Sequence, residues 1–239
     1  MIRIENVSKR FGPLEVLKGV DLELKRGRVT AIVGPNGSGK TTLIKMLLGL
    51  VQPDAGRISL DDCVLNGDWR YRERIGYMPQ NVRFPENLSG RELIAMITDL
   101  RAGTGHGRDF DTELVNGFAM SKDLDKPFRV LSGGTRQKVN AILAFRFRPD
   151  LLILDEPTGG LDPVAARALK DKIRRERERG CTVLLTSHNT ADLESLADDV
   201  AFLLDGSVRY RGTLDGLKQR TAEPDLEGAI ARLMMGVAA

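Results

Sequence analysis

Nine consecutive residues, Gly34-Pro35-Asn36-Gly37-Ser38-Gly39-Lys40-Thr41-Thr42, carry the spacing Gly-x-x-x-x-Gly-Lys-Thr. Gly34, Gly37 and Gly39 can take backbone angles closed to other residues, so successive amide N–H groups can turn inward on phosphate oxygens. An apolar run ending in Ala31-Ile32-Val33 precedes the loop, and a helical pattern, Leu43-Ile44-Lys45-Met46-Leu47-Leu48, follows it. The loop would therefore open onto a helix N-terminus, whose partial positive charge favours an anion. In that setting Lys40 reaches the β- and γ-phosphates and the Thr41 hydroxyl ligates Mg²⁺. A nucleoside triphosphate is the expected ligand.

A second group of residues supplies reactive chemistry. Leu151-Leu152-Ile153-Leu154-Asp155-Glu156 reads as an apolar strand ending in two acids. Such a strand would deliver Asp155 to the carboxyl edge of a sheet beside the phosphate loop, where it can hold Mg²⁺ through water. Glu156 could then orient and polarise a water attacking the γ-phosphate. About twenty residues earlier, Leu131-Ser132-Gly133-Gly134 opens a helix. A Ser and two glycines at a helix N-terminus make a further anion site. One loop already cradles the nucleotide, so this second site makes sense if it closes over the γ-phosphate held by a partner molecule.

The elements that must position these groups alternate. Ile2 and Ile4, then Leu17, Val20, Leu22 and Leu24, read as strands, and Pro53-Asp54-Ala55-Gly56 is a turn before Arg57–Leu60. Ile75-Gly76-Tyr77-Met78 is a strand leading into Pro79-Gln80. Helices follow at 91–101, with Leu93, Ile94, Ile97 and Leu100 on one face, then at 112–119 and 133–147. Between the first two of these, the Gly-rich tip Gly103–Gly107 contains His106, read as solvated. The β/α pattern resumes with strand 151–155, helix 163–179, strands 182–187 and 200–204, and a hairpin into 208–210. Strands alternating with helices imply an α/β fold with a mainly parallel sheet. The expected organisation is one domain over 1–239. It has a catalytic core at 1–80 and 150–220, a helical insertion at 81–149 and a C-terminal helix at 223–236.

With 239 residues, 41% hydrophobic and 29% charged, the chain has the composition of a soluble globular protein. Its longest apolar runs are of strand length. Met1 is followed by Ile-Arg-Ile-Glu rather than by a secretory leader. Cys63 and Cys181 lack metal-ligand spacing and suit a reducing compartment, which gives a cytoplasmic expectation. The net charge of +3 is too small to imply nucleic acid.

Taken in order, Gly34–Thr42, Gln80, Leu131–Gly134, Leu151–Glu156, Gly160-Leu161-Asp162 and Ser187-His188 resemble the ATP-binding subunit of an ABC transporter across essentially the whole chain. The resemblance implies a P-loop NTPase of ABC type, with an N-terminal antiparallel β subdomain and an inserted helical subdomain. It implies that Phe11 stacks on adenine and that Gln80 contacts Mg²⁺ and the attacking water. It also implies that Ser132, Gly133 and Gly134 close on a partner's ATP, that Asp162 crosses the dimer interface and that His188 binds the γ-phosphate. The implied partners are a second copy of the chain, with ATP between the two, and an integral membrane permease. The protein would then lie on the inner face of the cell membrane. The fifth signature position is Thr135, where the family often has Gln, which puts a ribose contact in doubt.

Three surface readings follow. Val82-Arg83-Phe84-Pro85 is expected to expose Phe84, with Leu88 beyond it, for a permease helix, the alternative being that Phe84 packs on its own subdomain. The mixed-sign run 170–179 reads as a solvated helix face. Leu226, Ile230, Leu233 and Met234 form one stripe that either packs on its own domain or docks a partner. Tyr77–Phe84 with Leu88–Glu92 is similar to the ATPase of a copper-handling ABC system, and drug-type ABC-2 exporters are nearly as similar. The cargo is therefore a copper or copper–sulfur species or a drug- or lipid-type molecule. A soluble ABC ATPase, such as one that assembles iron–sulfur clusters, is the competing reading.

Overall fold

A computed structural model describes residues 1–61, 63–65, 69–102 and 110–235. The His106 loop lies outside the described residues. The first half of the chain contains β1 (Ile2–Phe11), β2 (Leu14–Leu24), β3 (Val29–Val33), α1 (Lys40–Leu47), β4 (Ala55–Leu60), β5 (Cys63–Val64), β6 (Ile75–Met78) and α2 (Gly90–Ala102). Next come α3 (Glu113–Gly117), α4 (Gly133–Phe145), β7 (Leu151–Asp155) and α5 (Pro163–Glu178). The chain ends with β8 (Thr182–Thr186), α6 (Thr190–Leu196), β9 (Asp199–Leu204), β10 (Ser207–Thr213), α7 (Leu214–Thr221) and α8 (Leu226–Met234). Two compact units result, Met1–Arg72 with Thr182–Ala239, and Glu73–Cys181.

In the first unit β1 and β2 form a long antiparallel hairpin, and β4 and β5 extend it in the order β2-β1-β4-β5. One face alternates apolar. Ile2, Ile4, Leu17, Val20, Leu22 and Leu24 are all buried, as the period-two pattern requires. The same unit holds the strand order β10-β9-β3-β8, with β3 parallel to both neighbours and β10 returning antiparallel. Strand β3 is buried at every residue, as expected of a parallel strand covered on both faces. Helices α6 and α7 were not legible as apolar periodicities. They are seven and eight residues long, too short to show a stripe, and each starts at a side-chain cap, Asn189 and Thr213.

The tail stripe packs within its own unit. Leu226, Ala229 and Leu233 are buried, and Arg232 Nη1 donates to the Thr221 carbonyl at 2.8 Å. Ile230 and Met234 are turned further out. The inward half of the stripe thus packs within its own unit, with Ala229 taking an inward position that the sequence stripe had given to Ile230, while Met234 is exposed.

In the second unit β6 and β7 run parallel, and α4 packs so closely that a Cβ on Gly76 would lie 2.1 Å from the Ala144 carbonyl. Two readings are corrected here. Phe84 does not stand free: its ring stacks on that of Phe128 at 4.4 Å. Covering a Phe inside its own unit recovers the apolar burial that a partner helix would otherwise have to supply. The run 170–179 is not a wholly solvated face either. Lys172 and Glu176 are each 3% exposed, and the Lys172 ammonium is bound by Asp111, Glu113 and Glu176. The start of α3 and the residues just before it bring in Glu113 and Asp111, and this tertiary contact has no signal in local charge pattern.

Candidate functional site

Register places the phosphate loop. Ile32 of β3 pairs with Thr186 of β8, and Val33 pairs with Phe202 of β9. The residues that follow β3 and β8, Gly34 and Ser187-His188, therefore leave the sheet side by side at its carboxyl edge, where ligands bind in open parallel sheets. Gly34, Pro35, Asn36, Lys40, Ser187 and His188 accordingly share one cavity of about 390 Å³. Gly34 is required by contact, since a Cβ there would sit 2.0 Å from the Leu203 carbonyl. Gly39, at φ +110°, caps α1 and would press a Cβ against Leu17 at 2.6 Å.

Helix α1 starts with no side-chain cap and no acid in its first turn. Its first amides thus have no capping side-chain oxygen, the arrangement that suits an anion at a helix N-terminus. Lys40 Nζ donates to the carbonyls of Gly34 at 2.6 Å and Pro35 at 2.9 Å, folding the ammonium over the loop. Ser38 Oγ is buried and has no hydrogen-bond partner among the described residues, an unusual and costly state for a hydroxyl. A phosphate oxygen would satisfy it, so this loop fits a nucleotide on its own chemistry. Gly37, Thr41 and Thr42 complete the loop, with Asn36, Gly37 and Thr41 exposed.

His188 lies between a strand end and a helix cap. The Asn189 amide donates to Ser187 Oγ at 3.0 Å, and Asn189 Oδ1 accepts from the Ala191 amide at 3.0 Å. Phe11 ends β1 with 48% exposure, and the Lys9 ammonium lies 5.5 Å from its ring centroid. The ring is open to a stacking partner.

The second unit repeats the register logic. Met78 pairs with Leu154, so Pro79-Gln80 and Asp155-Glu156 leave adjacent parallel strands at the same edge. Glu156 has φ +51°, a left-handed conformation rare for a non-glycine residue and concentrated at functional sites. Sequence reasoning missed what holds Gln80 in place. Asn140 Nδ2 on α4 donates to the Pro79 carbonyl at 2.9 Å and to Gln137 Oε1 at 3.2 Å. Both side chains are buried. Two amides among the apolar residues of α4 were the available signal, because a buried amide needs partners.

Ser132 caps α4, its Oγ accepting from the Thr135 amide at 3.1 Å and lying 2.8 Å from Thr135 Oγ1. Gly133 meets nothing within 4 Å, whereas a Cβ on Gly134 would approach the Gly160 carbonyl at 2.7 Å. Asp162 caps α5 by accepting from the Ala165 amide at 2.9 Å, and Lys138 Nζ reaches its other oxygen at 2.7 Å. The Lys138 hydrogen bond, with help from the amides, holds the Asp162 carboxyl below its usual range. Among the described residues no three His, Cys, Asp or Glu side chains cluster as a metal site. Mg²⁺, which prefers to keep phosphate oxygens and water around it, needs no such cluster.

A phosphate-binding loop between a buried parallel strand and a helix, in a sheet with antiparallel β additions, defines a P-loop nucleotide-binding protein. Comparison with known proteins narrows the class. The family model described as "ABC transporter" matches residues 17–159. The Daunorubicin resistance ATP-binding protein DrrA3 of Streptomyces coeruleorubidus is 36% identical over 92% of this chain and 70% of its own length. The Linearmycin resistance ATP-binding protein LnrL of Bacillus subtilis (strain 168) is 30% identical over 92% of this chain and 71% of its own. A solved structure titled "Structure of ATP binding subunit of ABC transporter" superposes with a TM-score of 0.88 at 30% identity, covering 98% of this chain and 99% of that one. The chain belongs to the ABC transporter family of ATP-binding proteins and is an ABC ATPase, with drug-resistance ATP-binding proteins among its relatives.

Proposed function

We propose that the protein is the motor of an exporter, in which ATP draws two copies together, hydrolysis releases them and a separate membrane permease takes up the motion. In this reading the loop Gly34–Thr42 holds the phosphates, Lys40 neutralises them and Phe11 carries the base. Glu156 holds and polarises the attacking water, while His188 and Gln80 report the γ-phosphate. Ser132, Gly133, Gly134 and Asp162 act on the partner copy's nucleotide. Thr41, Gln80 and Asp155 would hold Mg²⁺, which supplies charge neutralisation as the terminal phosphate departs. The insertion 81–149 would carry the permease contact, and the protein would lie on the inner face of the cell membrane. No described helix is long and apolar enough to cross a membrane.

The observation that favours a motor over a soluble assembly ATPase is the outer face of α2. Leu100 is 69% exposed beside Met96, and with Glu92, Ala95 and Asp99 they form one open patch on the helix. A patch that mixes apolar and acidic side chains suits a basic amphipathic helix. It replaces Phe84 as the docking point. Covering Leu100 and Met96 would be worth roughly 1–3 kcal/mol each.

The names of the relatives favour an apolar, drug-like cargo. The likeness of residues 77–84 and 88–92 to a copper-handling system offers copper or a copper–sulfur species as the second reading, although Phe84 in that stretch is accounted for by its stack on Phe128. Co-expression with a candidate membrane permease tests the motor reading. The double variant Met96→Glu, Leu100→Glu should keep its basal ATPase but lose co-fractionation with membranes and stimulation by the permease. A wild-type protein that never fractionates with a membrane protein would favour the soluble assembly ATPase instead.

A further inference from the structure

The loop from Glu156 to Asp162 is stiff and is held at both ends. The Gly159 amide donates to the Glu156 carbonyl at 3.1 Å, and the Leu161 amide donates to the Thr158 carbonyl at 3.2 Å. Two successive turns thus join Glu156 to the cap of α5, with little slack between them. The far end of this loop meets the first turns of α4 twice. Gly134 lies against the Gly160 carbonyl with no room for a Cβ, and Lys138, one turn further along α4, pairs with Asp162 at 2.7 Å. Ser132, Gly134 and Lys138 follow one another along α4, so the residues read as touching a partner's nucleotide and the residue gripping the loop share one rigid helix.

We propose that Lys138 is a positioning residue for hydrolysis: by holding Asp162 it fixes the Glu156–Asp162 loop to the signature helix, so that a shift of α4 on the partner's ATP is carried to the carboxylate of Glu156. The proposal rests on the reading of Glu156 as the water-polarising residue and goes beyond it, because Lys138 would act through Asp162. Removing the ammonium takes away one contact between the loop and α4, and the Gly134 contact that stays bears from one side only. The loop is then held less closely to α4, and the placing of Glu156 loosens with it. The pair is not a folding device. Asp162 is half exposed in it, and pairs of that kind add little to stability. Asp162 also keeps its cap on the Ala165 amide without Lys138.

The test compares full-length wild type, Lys138→Met, Lys138→Arg and Glu156→Gln by steady-state ATPase, ATP titration and thermal melting. Misplacing a group that orients a reactant by a fraction of an ångström to 1 Å costs on the order of ten- to a hundred-fold in rate. Lys138→Met should lose kcat by that factor while its KM, ATP affinity and melting temperature match the wild type, and Lys138→Arg should restore kcat. A Lys138→Met protein with wild-type kcat overturns the inference, as does a kcat loss that comes with a lower melting temperature and is not restored by Arg. If Glu156→Gln hydrolyses ATP as fast as the wild type, the reading of Glu156 fails and the inference fails with it, an outcome distinct from the first two.

Discussion

Replacing Ser38 by Ala should move stability and affinity in opposite directions. The Ser38 side chain is 2% exposed, and its hydroxyl lacks a partner among the described residues. A buried hydroxyl in that state costs roughly 1–3 kcal/mol of desolvation, and the cost disappears when the oxygen is removed. The lost oxygen leaves a void of only one atom, and the backbone around it stays held by Ser38 N donating to the Pro35 carbonyl and Gly206 N donating to the Ser38 carbonyl. A net gain of about 1 kcal/mol raises the melting temperature of a chain this size by roughly 2–4 °C. Binding should suffer, since a hydrogen bond to a charged phosphate is worth about 1.5–3 kcal/mol. That corresponds to roughly ten- to 150-fold weaker ATP binding. Thermal melting of the nucleotide-free variant, paired with calorimetric titration of ATP in Mg²⁺, reads both effects. A variant that melts lower than the wild type and binds ATP equally well would show that the hydroxyl serves the fold, and the account of the loop would be refuted.

Burial pushes the Cys181 thiol up to about 12, while Cys63 is exposed. A thiol reagent at neutral pH should therefore titrate one thiol in the native protein and two after denaturation; two fast native thiols would contradict the packing around β8. Burial works against the charge of Lys172, but its hydrogen bonds to Asp111, Glu113 and Glu176 outweigh that and raise its pKa. A raised pKa means stability that is complete below the unfolded value of about 10.4 and lost as pH climbs through the folded one. Lys172→Met should cost about 1.5–3 kcal/mol at neutral pH, chiefly by taking the ammonium from the buried Asp111 carboxylate, since Glu113 keeps Arg175 and Glu176 keeps Arg179. Its thermal melts should also lack the alkaline drop expected of the wild type, and a variant as stable as the wild type would refute the cluster's role.

The sequence was legible wherever local pattern and chemistry coincide. The phosphate loop, β7 with its terminal acids and the Ser132 cap could be read because turn glycines, apolar runs and capping residues act within a few positions of themselves. The readings that failed depend on contacts distant along the chain. Phe84 finds Phe128 across 44 positions of sequence, and Lys172 finds Asp111 across 61. Neither partner is marked by spacing. Asn140 was missed for the same reason, since its target is a carbonyl 61 residues earlier and any backbone offers a carbonyl. The ion pair of Lys138 with Asp162 was likewise invisible, because a lysine in a polar-basic stretch resembles its neighbours until the loop folds against it.

The central claim is that Glu156 drives hydrolysis while the loop around Lys40 binds the nucleotide independently. Turnover of ATP by purified wild type and Glu156→Gln, measured beside their ATP affinities, tests it most directly. The account expects affinity within about three-fold and turnover lower by on the order of a hundred-fold or more, since the phosphate cradle survives and only the group that orients water is lost. Turnover by Glu156→Gln at the wild-type rate would contradict it.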